Sequence, residues 1–213
     1  GVKFETDYMG KRWSDSEAVI ACLHRAIAAG IPFFSGDYLA KVTRNDLENV
    51  FAGTIEMPML DERVTLFNEV GSVLVENYEG RYSNFVRSCA PRLYAGGDGL
   101  LERLTSEFSR FRDVSIYDGA EVFIYKLAQL GIWGMHLALS PQKAWELEDA
   151  HMLTAFADYI VPVGLRVTGI FEYAPELEDQ INSLVEVPHE SQAEVELRAG
   201  SIYAIARLTD EIN

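Results

Sequence analysis

A chain of 213 residues and 23.9 kDa, 48% hydrophobic and 24% charged, is long enough to bury a sizeable core and has a globular composition. Its formal charge of −15, from 33 acidic against 18 basic residues, argues against polymeric DNA or RNA as a partner, because neutralised phosphates supply most non-specific affinity. The same charge leaves room for one small nucleotide in a local basic pocket and favours a substrate carrying its own cation. No apolar run approaches the roughly 20 residues of a membrane helix, so no membrane partner is expected. Residues 1–10 alternate in charge, unlike a secretory signal. Cys22 and Cys89 sit among apolar residues at helical spacing, which reads as buried thiols of a reducing cytoplasm.

Residues 2–14, VKFETDYMGKRWS, alternate loosely about Met9-Gly10 and predict a short β-hairpin. Ser14 and Glu17 form a capping-box pattern before an apolar stripe at Val19, Cys22, Leu23, Ala26 and Ile27, which Gly30 closes. Thr43 with Asp46 marks a second helix start, with Leu47, Val50 and Phe51 on one face. Pro58 opens a longer helix through Leu60, Val64, Phe67, Gly71, Leu74 and Tyr78, ended by Gly80. Ser83 caps a short helix, residues 91–99 form a loop, and helix resumes over Leu100, Leu101, Leu104 and Phe108. The loop's GGDG suggests a phosphate cradle, but the flanking strand and the Lys-Ser/Thr pair of a P-loop are absent.

FRDVSIYDGAEVFIYKLAQLGIW, residues 111–133, carries two patterns. Val114/Ile116 and Val122/Ile124 alternate about Asp118-Gly119 as in a hairpin, whereas Lys126, Leu127, Leu130 and Trp133 have helical spacing. Beyond Pro141 the pattern predicts helices over residues 142–158, 162–171 and 175–184. A last helix is capped by Ser191 and Glu194 and buries Val195, Ile202, Ile205 and Leu208. There is no internal repeat.

His151 to Val167, HMLTAFADYIVPVGLRV, is the stretch around which the chemistry gathers. Its single carboxylate, Asp158, stands between Phe156 and Tyr159, four residues before Pro162. If residues 145–160 are helical, Pro162 breaks that helix near Asp158, since proline returns no N–H and crowds the carbonyl four residues back. Asp158 then either caps the helix opened by Pro162 or is held among aromatic rings for a task.

FADY followed by Pro162, FRDVSIYDG at 111–119, YKLAQ at 125–129, MPMLDER at 57–63 with NEVG at 68–71, and EVELR at 194–198 fall in one order across most of the chain. Together they resemble the queuosine salvage family of queuosine 5'-phosphate N-glycosylases/hydrolases. Gly10, Lys11, Trp13 and Ser14 match its Gly-Lys-x-aromatic-Ser. The resemblance implies an all-α fold, mainly helical and like the helical DNA glycosylases, with a short N-terminal β-hairpin. It also selects a helix over residues 121–139. The expected organisation is a single helical domain, residues 1–213, lacking N- and C-terminal segments that family members carry.

The activity implied is hydrolysis of queuosine 5'-monophosphate to queuine and ribose 5-phosphate. Asp158 is the implied catalytic carboxylate, stabilising or attacking the positive charge that builds on the sugar as the base departs. Phe156 offers a stacking face, and Tyr159 is a further substrate contact. Lys126 holds the 5'-phosphate or pairs with Asp158, unless it is a snorkelling surface lysine. Arg198 is a second candidate cation. No cofactor is expected, and the four histidines have no metal-ligand spacing. Nothing favours His136 or His151 as general acid. The competing readings are a non-catalytic queuine or nucleotide binder with an incomplete site, and a DNA glycosylase, which the charge disfavours. A monomer in the cytoplasm is the expected form.

Overall fold

The computed structural model describes residues 3–212 and divides the chain into two compact units, residues 1–88 and 89–213. Among the described residues the structure is mainly helical, with two short antiparallel hairpins, and no helix is long and apolar enough to cross a membrane.

The first unit contains β1 (Glu5–Tyr8), β2 (Lys11–Ser14), α1 (Asp15–Ala28), α2 (Gly36–Leu39), α3 (Arg44–Val50), α4 (Leu60–Tyr78) and α5 (Tyr82–Ser88). Met9 and Gly10 both take the left-handed conformation, φ 50° and 73°, so the predicted hairpin closes through the mirror-image turn that right-twisted strands require. The predicted Ser14–Glu17 capping box does not form. Ser14 lies opposite Glu5 in the register, and its hydroxyl donates to Glu5 Oε1 at 2.9 Å rather than accepting from α1. The Thr43–Asp46 box does form: Thr43 Oγ1 accepts from Asp46 N at 3.2 Å and the Asp46 carboxylate accepts from Thr43 N at 2.9 Å.

Arg25, on α1, donates to Val50 O at 3.1 Å, Ala52 O at 2.8 Å and Thr6 Oγ1 at 2.8 Å, tying the hairpin and the end of α3 to one helix. Phe33 lies edge-on to Phe51 and Phe67 in the core. The NEVG stretch is packing: Asn68 Nδ2 donates to Leu39 O and Val42 O, both at 2.9 Å. At Gly71 a Cβ would stand 2.1 Å from Ala40 N, so only glycine lets α4 approach the end of α2. Glu79 and Gly80 turn left-handed, and Gly80 N donates to Leu74 O at 2.9 Å, closing α4 where Gly80 predicts its end.

The second unit contains α6 (Leu100–Glu107), β3 (Val114–Tyr117), β4 (Ala120–Phe123), α7 (Lys126–Leu139), α8 (Ile160–Val167), α9 (Pro175–Asn182) and α10 (Gln192–Ile212). Two sequence expectations are corrected here. The helix expected from residue 121 begins at Lys126, because Asp118-Gly119 closes a second hairpin with φ 48° and 78° and Tyr125 turns left-handed at φ 50°. No helix covers residues 142–158, which hold only 3-10 turns at Ser140–Gln142 and Ala150–Met152. The amides there have tertiary acceptors instead: Leu147 N donates to His136 Nδ1, Glu148 N to Pro91 O, and Thr154 N to Gln129 Oε1. The last helix starts as predicted, with Ser191 Oγ accepting from Glu194 N at 3.2 Å. Its stripe is only partly covered, with Val195 buried and Leu208 exposed.

Thr43→Ala should lower stability by about 1 kcal/mol near neutral pH, read from the urea midpoint. The Thr43 hydroxyl, and then its backbone N–H, hold the Asp46 carboxyl below its ordinary value. A carboxyl depressed in the folded state stabilises above its unfolded-state pKa and loses that contribution as pH falls through the folded value. The difference between variant and wild type should therefore be full near neutrality and shrink in acid.

Candidate active site

Asp158 follows an irregular segment, residues 153–157, and stands one residue before the cap of α8. Its Oδ1 accepts from Ile160 N at 2.8 Å and Val161 N at 3.2 Å, while its Oδ2 lies 3.8 Å from Lys126 Nζ. One oxygen caps a helix and the other faces a cation. The capping role that the sequence offers for Asp158 is thus present, and it leaves the second oxygen facing Lys126. Pro162 breaks no helix, since none precedes it. It occupies the first turn of α8, where an N–H has no intrahelical acceptor to miss.

The approach to Asp158 is fixed on both sides. Gln129, buried in α7, donates to Ile124 O at 3.1 Å and Thr154 Oγ1 at 2.9 Å, and its carbonyl accepts from Thr154 N at 2.8 Å. Three residues further on, Arg198 Nε donates to Ala157 O at 3.2 Å. The same guanidinium forks onto Asp113, with Nη1 to Oδ1 at 3.0 Å and Nη2 to Oδ2 at 2.5 Å, and reaches Glu194 Oε1 at 3.3 Å. Asp113 in turn accepts from Lys126 N through Oδ2 at 3.3 Å. Three of the sequence words, FRD, YKLAQ and FADY, thus meet at the fourth, EVELR.

Of these residues Asp158, Lys126, Ala157, Glu194 and Arg198 line a cavity of about 840 Å³, within the roughly 300–1,000 Å³ of small-molecule sites, whereas Asp113, Gln129 and Thr154 stand behind the lining. Pro162, Val163, Val167, Ile181, Val187 and Leu197 give it apolar walls. Its lining carboxylates, Asp158, Glu186 and Glu194, are matched by Lys126, Arg166 and Arg198, so the wall is locally balanced in a chain of net charge −15. Arg166 holds Glu178 at 2.5 Å and lies over the Tyr173 ring at 5.1 Å. Burial pushes the Tyr173 phenol up, opposed by Arg166, and its hydroxyl donates to Pro162 O at 3.0 Å. Lys126 is the least committed of the three cations, its one carboxylate at 3.8 Å against 2.5 Å for each arginine.

Of the residues singled out in the sequence, Asp158, Lys126 and Arg198 come together, and Tyr159, 80% exposed, stands at the cavity's edge. Phe156 is half-buried and lies outside the lining. His136 is stacked on Trp133 with its Nδ1 accepting from Leu147 N at 3.1 Å, a structural engagement, and His151 is exposed. Asp113, Gln129, Arg166 and Tyr173 were not distinguished by sequence reasoning. The first two stand inside the words that carry the resemblance, which was the available signal. The GGDG loop is closed to a phosphate by Glu102, whose Oε2 accepts from Ala95 N, Gly97 N and Gly99 N at 2.8–3.0 Å. Burial raises the Glu102 carboxyl, but these three N–H groups outweigh it and leave it below its ordinary value.

The model of the queuosine salvage protein family matches residues 1–213, and the chain belongs to that family. It is 37% identical over 206 residues to a Sphaerobacter thermophilus protein named queuosine 5'-phosphate N-glycosylase/hydrolase, covering 97% of this chain and 62% of that one. Proteins of the same name from Dictyostelium discoideum and Schizosaccharomyces pombe are 34% and 29% identical, covering 94% and 99% of this chain and 62% and 61% of theirs. The chain thus spans about three fifths of the length of these relatives.

Gln129→Leu preserves volume but leaves Thr154 N and Ile124 O without their side-chain partner. The expected loss is about 1–3 kcal/mol of stability, with the amide of Thr154 exchanging faster in hydrogen–deuterium exchange than amides of α6. Unchanged protection at Thr154 would remove Gln129 as the anchor of this segment.

Proposed function

We propose that the chain carries the site of an N-glycosidase that hydrolyses queuosine 5'-monophosphate to queuine and ribose 5-phosphate. Membership of the queuosine salvage family and the names of its relatives supply the substrate. The observation that carries the chemistry is Asp158, with Oδ1 fixed by two α8 amides and Oδ2 turned towards Lys126 at the cavity wall.

As the glycosidic bond breaks, positive charge develops at the anomeric carbon. A carboxylate whose orientation is already fixed stabilises that charge without reorganising when the reaction occurs. It also stabilises or orients the water that captures the sugar. The base of the substrate has carbon where a purine has N7, so its departure is assisted at the carbonyl or the pyrimidine face. Tyr159 at the edge is the aromatic contact proposed for the flat base, whereas Phe156, outside the lining, supports the segment before Asp158. Lys126 receives the 5'-phosphate: it is the least committed cation of the wall, its one carboxylate partner standing at 3.8 Å. Arg198, its donors already engaged, contributes through the chain rather than through the phosphate.

Asp158→Asn keeps an oxygen for the α8 amides and deletes the charge. It should retain ligand affinity while turnover, followed as free queuine by mass spectrometry, falls by about 10²–10³-fold. Wild-type turnover in this variant would remove Asp158 from the reaction. A wild-type chain that binds queuosine 5'-monophosphate without releasing queuine would favour a binding protein instead.

Lys126→Met keeps the apolar stem and deletes the ammonium. A hydrogen bond to a charged partner contributes about 1.5–3 kcal/mol, so kcat/KM for the nucleotide should fall about ten- to a hundredfold while that for the bare nucleoside changes little. Equal losses on both substrates would place Lys126 with Asp158 rather than with the phosphate.

A further inference from the structure

The Arg198–Asp113 pair lies at the junction of the two peptide units that precede the reactive side chains. Arg198 Nε holds Ala157 O, the carbonyl of the peptide linking Ala157 to Asp158. Asp113 Oδ2 holds Lys126 N, the amide of the peptide linking Tyr125 to Lys126. The Asp113 backbone carbonyl also accepts from Ile124 N at 3.0 Å and Tyr125 N at 3.3 Å, bracing the left-handed turn that starts α7. Between these two grips runs the bidentate ion pair itself, with side chains only 14% and 19% exposed. A guanidinium is suited to this task because its planar fork fixes direction as well as distance.

We infer that Asp113 and Arg198 act as a positioning pair that sets the separation of Asp158 from Lys126. The inference rests on the proposed reaction for its consequence in turnover, but not for its geometry. Neither residue has to touch the substrate. Each acts through the peptide it grips, and a shift of the order of 1 Å in a reacting group can cost about a hundredfold in rate. The pair gives Arg198 a role that lysine cannot fill, since one ammonium does not reproduce both the fork on Asp113 and the separate Nε bond to Ala157 O.

Two measurements separate this from a role in folding and from failure of the proposed reaction. In the first, Asp113→Asn, Arg198→Lys and the double substitution Asp113→Asn, Arg198→Gln are assayed on queuosine 5'-monophosphate. The double substitution leaves two neutral hydrogen-bonding groups facing each other, so that neither Asp113 nor residue 198 is an unpaired charge, while Glu194 loses its 3.3 Å contact in every Arg198→Gln protein. Proteins with wild-type near-ultraviolet circular dichroism should lose about ten- to a hundredfold in kcat with KM within about twofold. Arg198→Lys should give no rescue. A rise in KM with kcat retained would place the pair on the substrate and overturn the inference, as would wild-type kcat in the double substitution.

In the second, the lysines are reductively methylated with ¹³C-formaldehyde and the Lys126 resonance is assigned by its absence in Lys126→Met. The resonance should move in Asp158→Asn, reporting the neighbouring carboxylate, and should move comparably in Asp113→Asn. A Lys126 resonance that follows Asp158→Asn but is unaffected by Asp113→Asn overturns the positioning role. This readout needs no turnover. A chain that releases no queuine would defeat the proposed reaction and leave the inference to be decided by the resonance alone.

Discussion

The fork between Arg198 and Asp113 is the contact on which the geometry of the site depends. A largely buried ion pair of this kind contributes little net stability, because removing two charges from water offsets most of their attraction. Its value is directional. It joins a residue of α10 to the loop before β3, and each partner has further bonds to a neighbouring backbone. The hairpin β3–β4 sits between Asp113 and Lys126 in sequence, so the path from one to the other is fixed by paired strands rather than by a loose loop. The cavity is consequently built from segments far apart in the chain and closed by a few bonds of short reach.

Charge tells a second story. The chain is strongly acidic as a whole, yet the walls of the cavity carry equal numbers of lining carboxylates and cations. Most of those cations are tied to partners, leaving Lys126 as the adjustable one. An acidic exterior around a balanced interior suits a small zwitterionic ligand better than a polyanion, since long-range repulsion grows with the ligand's charge and local pairing does not.

Much of the fold was legible because its signals are local. The Met9-Gly10 turn, the Thr43–Asp46 box, the glycine end of α4 and the start of α10 each follow from a few neighbouring residues. Ser14 misled because its cross-strand neighbour Glu5 is invisible to a helix-capping pattern. Residues 142–158 misled more deeply. Their apolar spacing resembles a helix, but their amides bond to His136, Pro91 and Gln129, acceptors that only tertiary structure supplies. At Asp118-Gly119 the local turn chemistry prevailed over the helix start at residue 121 that the family resemblance had selected, while the helical spacing from Lys126 onward is met by α7. In the site, Asp158 was visible as an isolated acid among aromatics. Asp113 stood in the FRDVSIYDG word but carried no physical sign of its role, because its partner lies 85 residues later.

The loop before α6 shows how a chain can use its own anion. Glu102 accepts three amides that converge on one oxygen, an arrangement that would otherwise receive a phosphate or sulfate. Because Glu102 is tethered a few residues away, its carboxylate is present at an effective concentration of the order of millimolar or above. A free anion must displace this resident ligand to reach the three amides. The glycine-rich loop is thereby an occupied receptor, and a phosphate-bearing molecule encountering it meets amides already engaged by the chain's own carboxylate.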